Sequence, residues 1–96
     1  MSRCQQTLAA LVLFSEALRR SGQQPDQSYK LETADYFEKL RERLQAAGGQ
    51  EQAVILDEVT RTGKVADLGL SSAELALYKK LYSAAENDLE RIRRAD

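Results

Sequence analysis

The stretch SSAELALYKKLYSAAENDLERIRR, residues 71–94, decides the fold. Ser71 with Glu74 three residues on has the spacing of a capping box, in which the serine oxygen accepts the amide of the third helical residue and the glutamate reaches back to the serine amide. After the box, Leu75, Tyr78, Tyr82, Ala85, Leu89 and Ile92 recur at alternating steps of three and four. At 100° per residue they form one stripe along a helix, a heptad-like seam. Leu77, Leu81 and Ala84 make a flanking row that stops at Asp88. The pattern predicts a helix over about 72–94 whose first half touches two neighbours. Beyond Ala85, the seam is expected to present Leu89 and Ile92 to a second copy or a partner.

Working outward, the preceding chain predicts three more helices, over about 4–21, 29–47 and 50–62. In the first, Cys4, Leu8, Leu11, Val12, Ser15 and Leu18 share a face, Ala10, Phe14 and Ala17 widen it, and Leu13 lies farther round. So much apolar circumference predicts a central position or burial against another subunit, with Leu13 and Phe14 the hardest residues for a monomer to hide. Gly22 suits the position after the helix, and Pro25 and Asp26 mark a turn. In the second helix Tyr29, Thr33, Tyr36, Phe37, Leu40, Leu44 and Ala47 form a narrow stripe, with Asp35 and Lys39 as an i,i+4 pair on the wet side. The third carries Ala53, Ile55, Leu56 and Val59 inward, while Val54 points elsewhere. Val65, Leu68 and Leu70 predict a linking loop held down by packing.

These elements add up to an all-α fold, an antiparallel bundle of about four helices with a long C-terminal helix, forming a single domain over 1–96. The composition agrees: 96 residues contain one proline, five glycines and many good helix formers. With 14 basic and 15 acidic residues the net charge is −1, so no global field draws the chain to nucleic acid or an anionic membrane. The single cysteine, Cys4, rules out an internal disulfide framework and fits a reducing compartment. The longest apolar run, Leu8 to Phe14, is too short to span a bilayer. The expected location is therefore the cytoplasm.

Catalytic chemistry is sparse. The chain lacks histidine, which removes the usual neutral-pH base and the commonest metal ligand. One cysteine without histidine makes no zinc site, and no glycine-rich phosphate loop is present. The expectation is a protein that is not an enzyme, with no catalytic or metal site and no cofactor.

Two functional readings remain. The leading one is a module for protein contact, an adaptor, chaperone-like or regulatory subunit. It forms a homodimer through helices 1 and 4, with Leu13, Phe14, Tyr78, Tyr82, Ala85, Leu89 and Ile92 at the interface. A partner's amphipathic helix is the other candidate for the same seam. The alternative is a small nucleic-acid-binding regulator. The segment Val65-Ala66-Asp67-Leu68-Gly69-Leu70-Ser71, followed by Glu74-Leu75, resembles the turn of a helix-turn-helix. Ala66 precedes Gly69 by three residues, where that pattern usually has four. The reading positions Ser72, Ala73 and Glu74 offer no arginine or asparagine for a base edge. On this alternative Lys79, Lys80, Arg91, Arg93 and Arg94 would meet phosphates, although cations also suit a helix C-terminus. The string from Leu68 to Tyr78 is also similar to a short segment in the C-terminal helical region of type I restriction endonuclease motor subunits. That likeness covers about a tenth of the chain and is mostly capping plus leucine spacing, so it carries over no functional residue.

Overall fold

The computed structural model describes residues 4–61, 65 and 68–95. Helix α1 spans Gln5–Gly22, a 3₁₀ turn follows at Pro25–Gln27, and α2 spans Lys30–Ala46. Helix α3 spans Gly49–Val59 and α4 spans Ser72–Ala95. The helices run alternately up and down. Thr7 meets Asp88 and Ser21 meets Glu74, so α1 and α4 are antiparallel. Helix α1 packs against α2 and α4, and α3 completes the ring by packing against the same two. The predicted four-helix bundle is therefore the observed one.

The core is built from one row per helix. Leu11, Phe14 and Leu18 come from α1, Phe37, Leu40 and Leu44 from α2, and Ile55, Leu56 and Val59 from α3. Tyr78, Leu81, Ala85, Leu89 and Ile92 come from α4. Phe14 stands edge-on to Phe37 at 5.1 Å between ring centres, and Tyr78 lies 5.5 Å from Phe14. Val65 and Leu68 are buried beneath the helices, and the Tyr29 hydroxyl donates to the Leu68 carbonyl at 3.1 Å, so the linking loop is tied down. Gly69 in that loop has φ 65°, a left-handed conformation that glycine adopts without strain.

Several expectations need correction. Helix α3 ends at Val59, three residues before its predicted end. Gly22 is not beyond α1 but its last residue, and a Cβ there would lie 2.6 Å from Leu31 Cδ2. Leu31 of α2 therefore packs into the space a Cβ would take, and a larger residue here would have to displace that side chain. The α2 stripe is rotated: Lys30 and Ala34 turn inward and Tyr29 is exposed. Asp35 pairs with Arg19 of α1, across helices instead of along its own. Glu38 takes the same guanidinium at 2.6 Å, and this hydrogen bond holds its carboxyl below the usual range. Val54, expected to point away from the inward row, does so and stands in solvent.

The candidate interaction surface between α1 and α4

The α1–α4 pair has an inner face that closes on itself and an outer face that does not. The inner face is fastened by two carboxylates of α4, seven residues either side of Leu81. That spacing is two helical turns, so both point the same way as Leu81.

Glu74 forms the predicted capping box. Its amide donates to Ser71 Oγ at 3.2 Å, and the Ser71 amide donates to Glu74 Oε1 at 2.9 Å. The same carboxylate accepts Lys30 Nζ from α2 at 2.9 Å and the Ser21 hydroxyl from the end of α1. Lys30 also donates to Gln27 Oε1 at 2.8 Å. Lys30 and Glu74 are 2% and 3% exposed, so this is a buried ion pair joining three helices. Burial by itself pushes the Glu74 carboxyl up. The Ser21 hydroxyl, the Ser71 amide and the Lys30 ammonium together outweigh that and hold its pKa at about 2.

Asp88 does the corresponding work at the other end. It is fully buried, and its Oδ2 accepts both the Thr7 amide at 3.1 Å and the Thr7 hydroxyl at 2.6 Å. Thr7 is the third residue of α1, one of the first-turn amides that a helix leaves unbonded. The N-cap of α1, Cys4, makes no side-chain capping bond, and the first turn of α1 carries no acidic residue. Asp88 therefore supplies from α4 the acceptor that α1 lacks locally. Arg91 closes its other oxygen at 3.4 Å.

This arrangement overturns the reading of the α4 seam. Its axis runs through Glu74, Tyr78, Leu81, Ala85, Asp88 and Ile92, because Asp88 is buried by Thr7 instead of ending the row. Leu75, expected in the seam, is 42% exposed. Of the residues expected at an interface, Phe14, Tyr78, Ala85, Leu89 and Ile92 are buried within the chain itself. Their apolar surface is already covered by the monomer. Tyr82 is half-buried beside Tyr78, and Leu13 is 52% exposed. Tyr78 is an oddity of the inner face, since its buried hydroxyl has no hydrogen-bond partner among the described residues.

The outer face carries a shallow groove of about 290 Å³ between α1 and α4. Ala9, Ala10 and Leu13 line it from α1, Leu77 and Ala84 from α4, with Gln6 and Lys80 completing the lining. The alanines leave room for another helix to approach closely. Lys79 and Lys80 are exposed and make no ion pair among the described residues.

The residues of the nucleic-acid alternative are only partly available. Arg91 is paired with Asp88 and Arg94 with Glu90, at 2.6 Å in the second case, while Arg93 is exposed. Ala66 lies outside the described residues. No helix is present between Val59 and Ser72 among the described residues, and Glu74 is locked inside rather than facing a groove. No group of three or more metal-ligating side chains converges among the described residues. No described helix is long and apolar enough to cross a membrane.

Sequence reasoning missed Asp88, Thr7 and Lys30. The readable signals were the seven-residue spacing of Glu74, Leu81 and Asp88 and the absence of a capping residue at the start of α1. No family model, curated protein or solved structure matches this chain.

Proposed function

We propose that the chain is a non-catalytic interaction module that forms a homodimer through the outer faces of α1 and α4. One observation carries this reading. Leu13, a large apolar side chain, stands half in solvent in an alanine-lined groove, while Leu11, Phe14 and Leu18 of α1 and Leu81, Ala85, Leu89 and Ile92 of α4 are closed inside the bundle. Exposed apolar surface concentrated in a groove marks a contact site more often than isolated exposed residues do. The lone, buried Cys4 fits a role in the reducing cytoplasm. An amphipathic helix of a different protein is the competing occupant of the groove.

The test is molar mass by light scattering over a dilution series. The wild-type chain is expected to move towards twice its 10.8 kDa mass as concentration rises. Leu13→Asp should stay monomeric, and Val54→Asp, on the opposite side of the bundle, should behave as wild type. A wild-type chain that remains monomeric at every concentration would overturn the reading.

A further inference from the structure

Helix α3 is held differently from the other three. Helices α1, α2 and α4 bury side chains along their length, from Thr7 to Leu18, from Lys30 to Leu44 and from Glu74 to Ile92. In α3 the buried side chains are Ile55, Leu56 and Val59, all near its end, and from Gly49 to Val54 there is none, with Ala53 only partly covered. The clasps at Glu74 and Asp88 and the cluster of Phe14, Phe37 and Tyr78 join α1, α2 and α4 and include no residue of α3. The side-chain bonds tying α3 to α2 end on one carboxylate, where Glu58 accepts the Tyr36 hydroxyl at 2.8 Å and Arg43 at 3.4 Å. Arg43 is half exposed there, so water competes for that contact.

The entry to α3 is free to turn. Gly48 is extended, at φ −90° and ψ 179°, and neither it nor Gly49 has a positive φ. A Cβ at either position would meet nothing within 4 Å. The folded state therefore requires glycine at neither, and what the pair adds is backbone freedom at the junction of α2 and α3. No side chain caps α3 at Gly48. At 11 residues the helix is also shorter than the roughly 12–15 at which an isolated helix holds in water, so its order depends on packing. Burial confined to one end, a solvent-exposed tie and a free junction together mark a unit that opens locally. We infer that α3 opens as one unit about Gly48 and Gly49 while α1, α2 and α4 stay closed. Opening bares Ile55, Leu56 and Val59 and the surface they cover on α2 and α4, an apolar face that the closed form conceals.

Amide hydrogen exchange of the full chain, followed by NMR under native conditions, tests this. The amides from Ala53 to Val59 should share one opening, about tenfold or more above the frequency of the one that exposes Leu11, Leu40 and Leu81, with a weaker dependence on denaturant. Ser21→Ala removes a bond between α1 and α4 that persists in the open form. It should speed exchange at Leu11, Leu40 and Leu81 about fivefold and leave α3 unchanged. Gly48→Ala, which fits the folded backbone, should slow the α3 amides about two- to fivefold by stiffening the junction. Equal rates and denaturant slopes in all four helices would overturn the inference, as would an α3 that quickens in step with Leu81 in Ser21→Ala. Fraying graded from Ala53, with Val59 as slow as Leu81, or an α3 indifferent to Gly48→Ala would also overturn it. These outcomes leave the Leu13 contact untouched, since molar mass decides that.

Discussion

The two faces of the α1–α4 pair treat polar and apolar groups in opposite ways. On the inner face, two carboxylates are withdrawn from water and both are satisfied, Glu74 by a cation and two further donors and Asp88 by the first turn of α1. On the outer face, Leu13 stands half in solvent, and Glu16 and Lys80 near it have no ion-pair partner among the described residues. The difference teaches where contact surface is to be sought in a small bundle. A seam that reads as apolar on a helical wheel is used up by the core, while residues left over on a helix already rich in apolar positions are not. Leu13 and Phe14 are adjacent in sequence and divide cleanly between the faces.

That division predicts a graded series. Phe14→Ala should cost about 3–5 kcal/mol of unfolding free energy in chemical denaturation, since the ring fills a site with no solvent access. Leu13→Ala should stay within about 0.5 kcal/mol for the monomer. Equal costs for the two would erase the distinction between faces. Glu74→Ala should cost about 3–5 kcal/mol, chiefly by leaving the Lys30 ammonium buried without its counter-charge. Replacing both, Lys30→Met with Glu74→Leu, should recover most of that loss. If the double variant is as unstable as the single, the charge pair is not what the single variant breaks.

Asp88→Ala should be milder, at about 1–3 kcal/mol, because the buried donors it strands, the Thr7 amide and hydroxyl, are neutral and Arg91 lies in solvent. Hydrogen exchange should quicken in the first turn of α1 and not at its end. Acid should also weaken the Glu74 contacts. Its folded pKa of about 2 lies below the ordinary value of 4.5, so its contribution is complete above the ordinary value and disappears as pH falls from about 4.5 towards 2. Glu74→Gln should flatten the fall in unfolding free energy across that window, and an unchanged slope would deny Glu74 this part. Smallest of all, Tyr78→Phe should leave stability unchanged or slightly raised, since the hydroxyl it removes is buried without a partner.

The helices were legible because their signals are local. The Ser71–Glu74 box and the three- and four-residue apolar steps are set by bonds and contacts within one helix. The four-helix bundle followed from them, as did the buried loop residues Val65 and Leu68. The site was less legible because burial of a polar residue depends on a partner far along the chain. Asp88 reads as the end of an apolar row until Thr7, 81 residues earlier, is placed against it. Lys30 reads as a wet residue until Glu74 meets it, and Glu74 was recognised as a cap but not as an ion-pair partner. The outward turn of Leu75 follows from the same shift in the axis of α4. Leu13 was recognised as hard to hide, and exposure is where the structure puts it. Phe14, grouped with it, was not hard to hide, because Phe37 and Tyr78 stack around it.

The proposed contact across Leu13 is tested most directly by a cross-link placed at that residue. Leu13→Cys and Val54→Cys put a thiol at two of the most exposed apolar positions, 52% and 62% open, on different sides of the bundle, with the native Cys4 buried in both. A disulfide forms only where the two Cβ atoms come within about 4.5 Å. Under mild oxidation, if the proposed dimer forms, Leu13→Cys should convert rapidly to a covalent dimer and Val54→Cys should not. Equal rates for the two variants, or no dimer from Leu13→Cys, would contradict the account.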